Sequence, residues 1–75
     1  MSIEFSRHAK RRARLYGIPE SVILDILAEM DLPQGEHEIL RDVAGFRYPL
    51  KIVVSVEGGM ATVVTNYPLK KGRKK

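Results

Sequence analysis

The feature that most restricts the fold of this chain is a pair of β-branched runs on either side of Gly58-Gly59. Residues 50–57 and 60–67 are rich in valine, isoleucine and threonine, and two glycines can supply positive φ at both turn positions. The pattern predicts a β-hairpin with a two-residue turn. Pairing Glu57 with Met60 puts a largely apolar set on the face that should meet the core: Val56 with Ala61, Val54 with Val63, Ile52 with Thr65, and Leu50 with Tyr67.

The N-terminal third of the chain has helical periodicity instead. Ser6 can cap a first helix and Gly17 can end it in the left-handed conformation, with only helix-tolerant residues between them. Pro19 suits the start of a second helix, and residues 19–30 carry a broad apolar face. The sequence therefore predicts two consecutive helices before the hairpin.

Shorter strand patterns complete the order of elements. Residues 3–5 alternate between apolar and polar, and residues 38–43 favour a further strand after a loop that contains proline and glycine. The order predicts a single α+β domain over residues 1–69, in which two N-terminal helices pack on one face of a three- or four-stranded antiparallel sheet. Residues 70–75 form a basic C-terminal tail.

The first helix carries an unusual concentration of cations with no acid among them. Cations are unfavourable in a first helical turn, and each pair of like charges one turn apart costs roughly 0.2–0.5 kcal/mol. The sum, about 1–2 kcal/mol, is large beside the roughly 5 kcal/mol stability of a small domain, so we expect an anion there, with a phosphate backbone as the first candidate. Two other interpretations stay open: acids elsewhere neutralise the helix, or it is simply a solvated surface. The cations are Arg7, Lys10, Arg11, Arg12 and Arg14.

Composition limits the function further. The 75 residues include no cysteine, which leaves no disulfide framework and fits the cytoplasm. Two histidines without any cysteine argue against a structural zinc site. Five of the 13 cations lie in the tail, whereas seven acids and one base lie between residues 20 and 42, so we expect a basic and an acidic pole. No apolar run is long enough to cross a membrane. So small a core favours support from a partner or a homodimer.

Two side chains of the first helix can perform acid–base chemistry on a phosphate. His8 and Arg12 are one turn apart on the same side of the helix. The helix dipole and the neighbouring arginines favour a neutral imidazole, which can accept a proton, and a guanidinium can bind a phosphate with two hydrogen bonds. Tyr67 can stack on a base or donate a hydrogen bond. The alternatives are that His8 is an ordinary helix residue and that Tyr67 is a core-edge aromatic. The acids near His37 (Glu36, Glu38 and Asp42) lack the spacing of a metal site and are interpreted as an acidic strand edge.

Three segments resemble a widespread family of small bacterial domains that is similar to the RelE-like toxins of the barnase, EndoU, colicin and RelE group. They are SRHAKRRARLYGIPESVI, LKIVVSV and ATVVTNYPLKKG, within residues 5–72. The resemblance implies helices packed on one face of an antiparallel sheet, an antitoxin partner, and cleavage of RNA by its own 2′-hydroxyl without a metal or other cofactor.

Carried onto this chain, the resemblance assigns His8 as acid or base, Arg12 as the phosphate stabiliser, and Tyr67 as a substrate contact that completes the catalytic set. Single-stranded RNA suits the mixture of cations and aromatics. A nucleic-acid-binding module without catalysis, or an interaction domain for an acidic protein, would use the same surfaces. The residues expected to contact nucleic acid are Arg7, Arg11, Arg14, Lys51, Thr65, Lys70 and Lys71.

Overall fold

The computed structural model describes residues 2–69, and the basic tail at 70–75 lies outside the described residues. The predicted order of one short strand, two helices and three strands is confirmed. No helix within residues 2–69 has the length and apolar character needed to cross a membrane. The elements are β1 (Ser2–Phe5), α1 (Arg7–Tyr16), α2 (Glu20–Ala28), β2 (Gly35–Arg41), β3 (Leu50–Glu57) and β4 (Met60–Pro68).

Both ends of α1 form as the sequence predicts. The Ser6 hydroxyl accepts a hydrogen bond from the backbone N–H of Ala9 at 3.0 Å, which satisfies one of the free amides of the first turn. Gly17 ends the helix at φ 68°, in the left-handed region that glycine enters without steric cost. Pro19 then directly precedes α2. Two consecutive helices therefore form from local signals.

The prediction of a wholly antiparallel sheet was wrong. The sheet is four-stranded and mixed, in the order β1-β4-β3-β2, and β1 runs parallel to β4. The backbone N–H of Ser6, directly after β1, donates to the Val63 carbonyl of β4 at 3.0 Å. The direction of β1 is set by this tertiary pairing with a strand almost sixty residues away. Local sequence periodicity predicts that a strand forms but not the direction in which it pairs.

The predicted hairpin register holds only near the turn. Val56 pairs with Ala61 and Val54 with Val63, but Val53 then pairs with Thr65, which leaves Val64 as an extra residue in a β-bulge. Beyond the bulge, side chains of β4 exchange faces. The predicted pairs Ile52–Thr65 and Leu50–Tyr67 were therefore wrong, since Ile52 pairs with Asn66 and Leu50 with Pro68.

The other strand that differs from its prediction is β2, which begins at Gly35 rather than at Glu38 and ends at Arg41. Its first residues are held by the hairpin turn, where the backbone N–H of Gly58 donates to the Gln34 side-chain oxygen at 2.6 Å. Gly35 pairs with Val56. The strand is therefore extended toward its N-terminal end by a contact with the turn between β3 and β4.

A single layer of apolar side chains separates the helices from the sheet. α1 packs across β4 through Ala9 and Ala13, which are buried one turn apart, while Tyr16, three residues after Ala13, is 38% exposed. The opposite face of the sheet has no helix among residues 2–69 to cover it. The rest of the core consists of Ile18, Ile23, Ile26, Leu27, Ile39, Leu50, Ile52, Val54, Val56, Ala61 and Val63.

Candidate nucleic-acid interface

The outer surface of α1 is a ridge of basic side chains with two flanks. Ala9 and Ala13 face the sheet, so helical geometry directs Arg7 and Arg11 away from it, and both are exposed. Lys10 and Arg14 occupy one flank of this ridge. The helix therefore presents the predicted cations to solvent.

A shallow cleft runs along that flank. It has a volume of about 270 Å³ and is lined by Arg7, Lys10, Arg11 and Arg14. Four cations around one depression make a strongly positive surface, which attracts polyanions and orients phosphate groups. Lys10 was missing from the predicted contact residues, although its helical spacing from Arg7 and Arg14 already placed it on their side.

Ion pairs do not neutralise these cations within the part of the chain that the structure describes. The salt bridge found there joins Lys51 to Glu38, far from α1 in the sequence. Lys10 does share a cleft of about 450 Å³ with Glu4 and Glu20, but it forms no salt bridge with either. Of the three interpretations of the basic helix, neutralisation by acids is thus the one that residues 2–69 do not support.

His8 and Arg12 lie on the other flank of the ridge. His8 is exposed and Arg12 half-buried, one helical turn apart on the same side of α1. Both side chains lie next to the outward ridge of Arg7 and Arg11. This arrangement keeps His8, the predicted acid–base group, beside Arg12, the predicted phosphate ligand, on a helix that carries the other cations.

Thr65 and Tyr67 are on the opposite side of the sheet from α1. The Asn66 side chain between them is fully buried and donates to the Ala9 carbonyl of α1 at 3.3 Å. Neighbouring residues of a strand face opposite sides, so Thr65 and Tyr67 point to the uncovered face. The structure therefore keeps His8 with Arg12 but does not bring Tyr67 to them. The predicted register put Tyr67 on the face toward the helices, and the bulge at Val64 turns it to the opposite face.

Tyr67 belongs instead to a small polar cluster on the uncovered face. It pairs across the strands with Lys51, whose ammonium lies 3.1 Å from a Glu38 carboxylate oxygen. The hydrogen bond to Glu38, with charge interactions from Tyr67 and Glu38, raises the pKa of Lys51 above its ordinary value of 10.5. Of the predicted contact residues, Lys51, Thr65 and Tyr67 thus form a second group, separate from the α1 group. Lys70 and Lys71 lie outside the described residues.

The acidic residues near His37 have the arrangement expected of a strand edge. Glu36 and Glu38 lie on β2, one of the two edge strands of the sheet, and face away from the core. His37 points to the other side and its Nε2 is 2.7 Å from the Pro33 carbonyl oxygen. Within residues 2–69 no group of three or more potential metal ligands comes together.

Comparison with known proteins gives no independent assignment. No family model, curated protein or solved structure matches the chain.

Proposed function

We propose that this protein binds RNA through α1, with phosphate groups of a single strand held along the basic ridge and its flanking cleft. The observation that carries the proposal is the set of exposed cations on α1 that have no acidic partner among residues 2–69. Cations at the N-terminal end of a helix are opposed by the helix dipole and by repulsion from each other. An anion that binds there stabilises the helix because it offsets both of these costs. Phosphodiesters supply such anions at regular intervals.

The uncovered face of the sheet is a poor second binding surface for the same strand. Its charged side chains along β2 are the acids Glu36 and Glu38, and Glu38 is bonded to Lys51. Negative side chains repel a phosphate backbone. The proposed RNA interface is therefore restricted to α1. It leaves out the uncovered sheet face, where the predicted contact residues Lys51 and Thr65 lie.

RNA cleavage in the manner of the RelE-like toxins is the second candidate function, favoured by the position of His8 and Arg12 on one flank of the ridge. In that reaction the 2′-oxygen attacks the adjacent phosphorus and the bond to the 5′-oxygen breaks. His8 would remove the 2′-hydroxyl proton, and Arg12 would stabilise the negative charge on the phosphoryl oxygens, while the leaving 5′-oxygen takes up a proton from water. An antitoxin that covers α1 is the protein partner that this activity implies.

RNA binding is tested with a labelled single-stranded RNA in a gel-shift titration at several salt concentrations. The variant Arg11→Gln/Arg14→Gln removes two cations from α1, and Arg41→Gln/Arg47→Gln removes the same charge from β2 and the loop after it. We expect the α1 variant to bind at least about tenfold more weakly. The slope of the logarithm of the binding constant against the logarithm of the salt concentration should become shallower by about 0.7 for each phosphate that the variant no longer neutralises. Equal weakening in both variants, or no shift for the unmodified protein, would contradict a specific role of α1.

Cleavage is tested by incubating the same RNA with the protein in the presence and absence of EDTA. The second candidate function would be supported by cleavage that survives EDTA and is abolished in His8→Ala and Arg12→Ala. Both variants should still bind the RNA with largely unchanged affinity. Product ends provide a further check, since attack by a 2′-hydroxyl leaves a 2′,3′-cyclic phosphate. RNA that is bound but stays intact would restrict the protein to binding.

A further inference from the structure

The uncovered face of the sheet carries a row of side chains along its edge strand that complements the ridge of α1. Alternation along β2 puts Glu36, Glu38 and Leu40 on this face, and all three are exposed, Leu40 by 55%. The ridge of α1 continues through Arg7, Arg11 and Leu15, and Leu15 is 69% exposed. Each row thus consists of two like charges followed by one exposed leucine, and the charges of the two rows are opposite.

The spacings of the two rows also agree. Residues four apart on a helix are separated by about 6 Å along its axis, and residues two apart on a strand by about 6.6 Å. A helix laid along β2 in the same chain direction would therefore put Arg7 opposite Glu36, Arg11 opposite Glu38 and Leu15 opposite Leu40.

We propose that a second copy of this chain docks α1 onto the uncovered face of the sheet along β2. Two pairs of opposite charges set the register, and the exposed leucines meet at one end, where apolar surface leaves water. Glu38 keeps its bond to Lys51 and offers its second carboxylate oxygen to the incoming arginine. The occupant is a copy of the protein because α1 has the matching charges, spacing and leucine.

The geometry makes this interface head-to-tail. The outer surface of α1 points away from the sheet, whereas the row on β2 is on the opposite side of the sheet. One neighbour cannot engage both surfaces of the same copy, so the interface excludes a symmetric dimer and links subunits head to tail into a ring or an open chain. Exposed charge pairs are weak and screened by salt, so the assembly should form at high protein concentration and low ionic strength.

Charge reversal on each surface separately tests the pairing. Arg7→Glu/Arg11→Glu changes the helix and Glu36→Arg/Glu38→Arg changes the strand. Asp25→Arg/Glu29→Arg, on the exposed side of α2 and at its C-cap, makes the same charge change as the strand variant and is the control. Sedimentation equilibrium of the unmodified protein should show an apparent mass that rises with concentration and falls with added salt. Each of the two surface variants alone should stay monomeric, and the control should associate like the unmodified protein.

Mixing the two surface variants gives the decisive result. The reversed helix of one fits the reversed strand of the other, so association should return in the mixture although neither variant associates alone. Leu15→Gln, which leaves all charges in place, should weaken association of the unmodified sequence. A monomeric mass for the unmodified protein at all concentrations, association that persists in both reversed variants, or a mixture that stays monomeric would each overturn the proposal.

The test also separates self-association from RNA binding. Glu36→Arg/Glu38→Arg leaves α1 unchanged, so its affinity for RNA should persist while its self-association disappears. If α1 binds RNA as proposed above, the two ligands compete for Arg7 and Arg11, and added RNA should lower the apparent mass of the unmodified assembly. RNA binding that fails while association and its rescue are observed would remove the proposed function and leave the pairing in place.

Discussion

The side-chain amide of Asn66, in β4, donates a 3.3 Å hydrogen bond to the backbone carbonyl of Ala9, in the first half of α1. Asn66 is fully buried, and its Oδ1 has no hydrogen-bond partner among the described residues. The buried amide nitrogen has a hydrogen-bond partner, whereas the buried oxygen has none. Burial of the Asn66 side chain therefore costs free energy that the bond to Ala9 only partly offsets. The bond joins the basic helix to the sheet and fixes which residues of β4 face it.

Replacing Asn66 should therefore destabilise the domain in a way that depends on the new side chain. Asn66→Ala removes the hydrogen bond and leaves a small cavity, and should lower the free energy of unfolding by about 1–3 kcal/mol. Asn66→Asp should cost more at neutral pH, since a buried carboxylate cannot donate to the Ala9 carbonyl, and the difference should shrink in acid as the carboxylate is protonated. Urea denaturation at two pH values measures both. An Asn66→Asp variant as stable as the unmodified protein would contradict this account.

Ser6 joins the cap of α1 to the bulge of β4, and two substitutions separate these roles. Its hydroxyl accepts from the Ala9 N–H and donates to the Val64 carbonyl at 2.9 Å. Ser6→Ala removes both bonds and should cost about 1–2 kcal/mol of unfolding free energy, whereas Ser6→Asp keeps a capping acceptor and should cost less than about 1 kcal/mol. Thermal or urea unfolding ranks the two. Equal destabilisation would mean that the cap contributes nothing beyond the bond to Val64.

Relief of charge in the first turn of α1 should stabilise the fold while it weakens RNA binding. Arg7→Glu replaces a cation at the positive end of the helix dipole with an acid that can attract Lys10 and Arg11. The free energy of unfolding should rise by about 1–2 kcal/mol, and RNA affinity should fall. Arg47→Glu, which makes the same charge change in an exposed loop, is the control for both measurements. Lower stability in Arg7→Glu would show that Arg7 has a favourable partner in the free protein.

The ion pair on the uncovered face predicts a specific change in titration. Glu38→Gln should lower the pKa of Lys51 toward 10.5, because the hydrogen bond to Glu38 is the largest cause of the raised value. Glu36→Gln, on the same face but outside the hydrogen bond, should change it less. NMR titration of the lysine side chain distinguishes the variants, and an unchanged pKa in Glu38→Gln would contradict the assignment. Since folding raises this pKa, the contribution of Lys51 to stability is complete below pH 10.5 and disappears as the pH rises through the folded-state value.

The parts of the fold that could be predicted from the sequence depend on neighbouring residues. Ser6 and Gly17 delimit α1, and Gly58-Gly59 joins β3 to β4, because caps and tight turns depend on the conformation of a few consecutive residues. The row of exposed cations on α1 is predictable for the same reason: helical spacing from Ala9 and Ala13 determines which side chains face solvent.

The parts that could not be predicted depend on interactions between distant segments. β1 runs parallel to β4, and the bulge at Val64 lies where the Ser6 side chain, 58 residues away, donates to the Val64 carbonyl. One extra residue in β4 reverses the facing of every side chain after it. That reversal buries Asn66 under α1 and moves Tyr67 to the uncovered face, away from His8 and Arg12. The sequence by itself determined the basic helix and the hairpin turn, whereas the tertiary structure decided which side chains share a surface, because strand register is a property of two segments together.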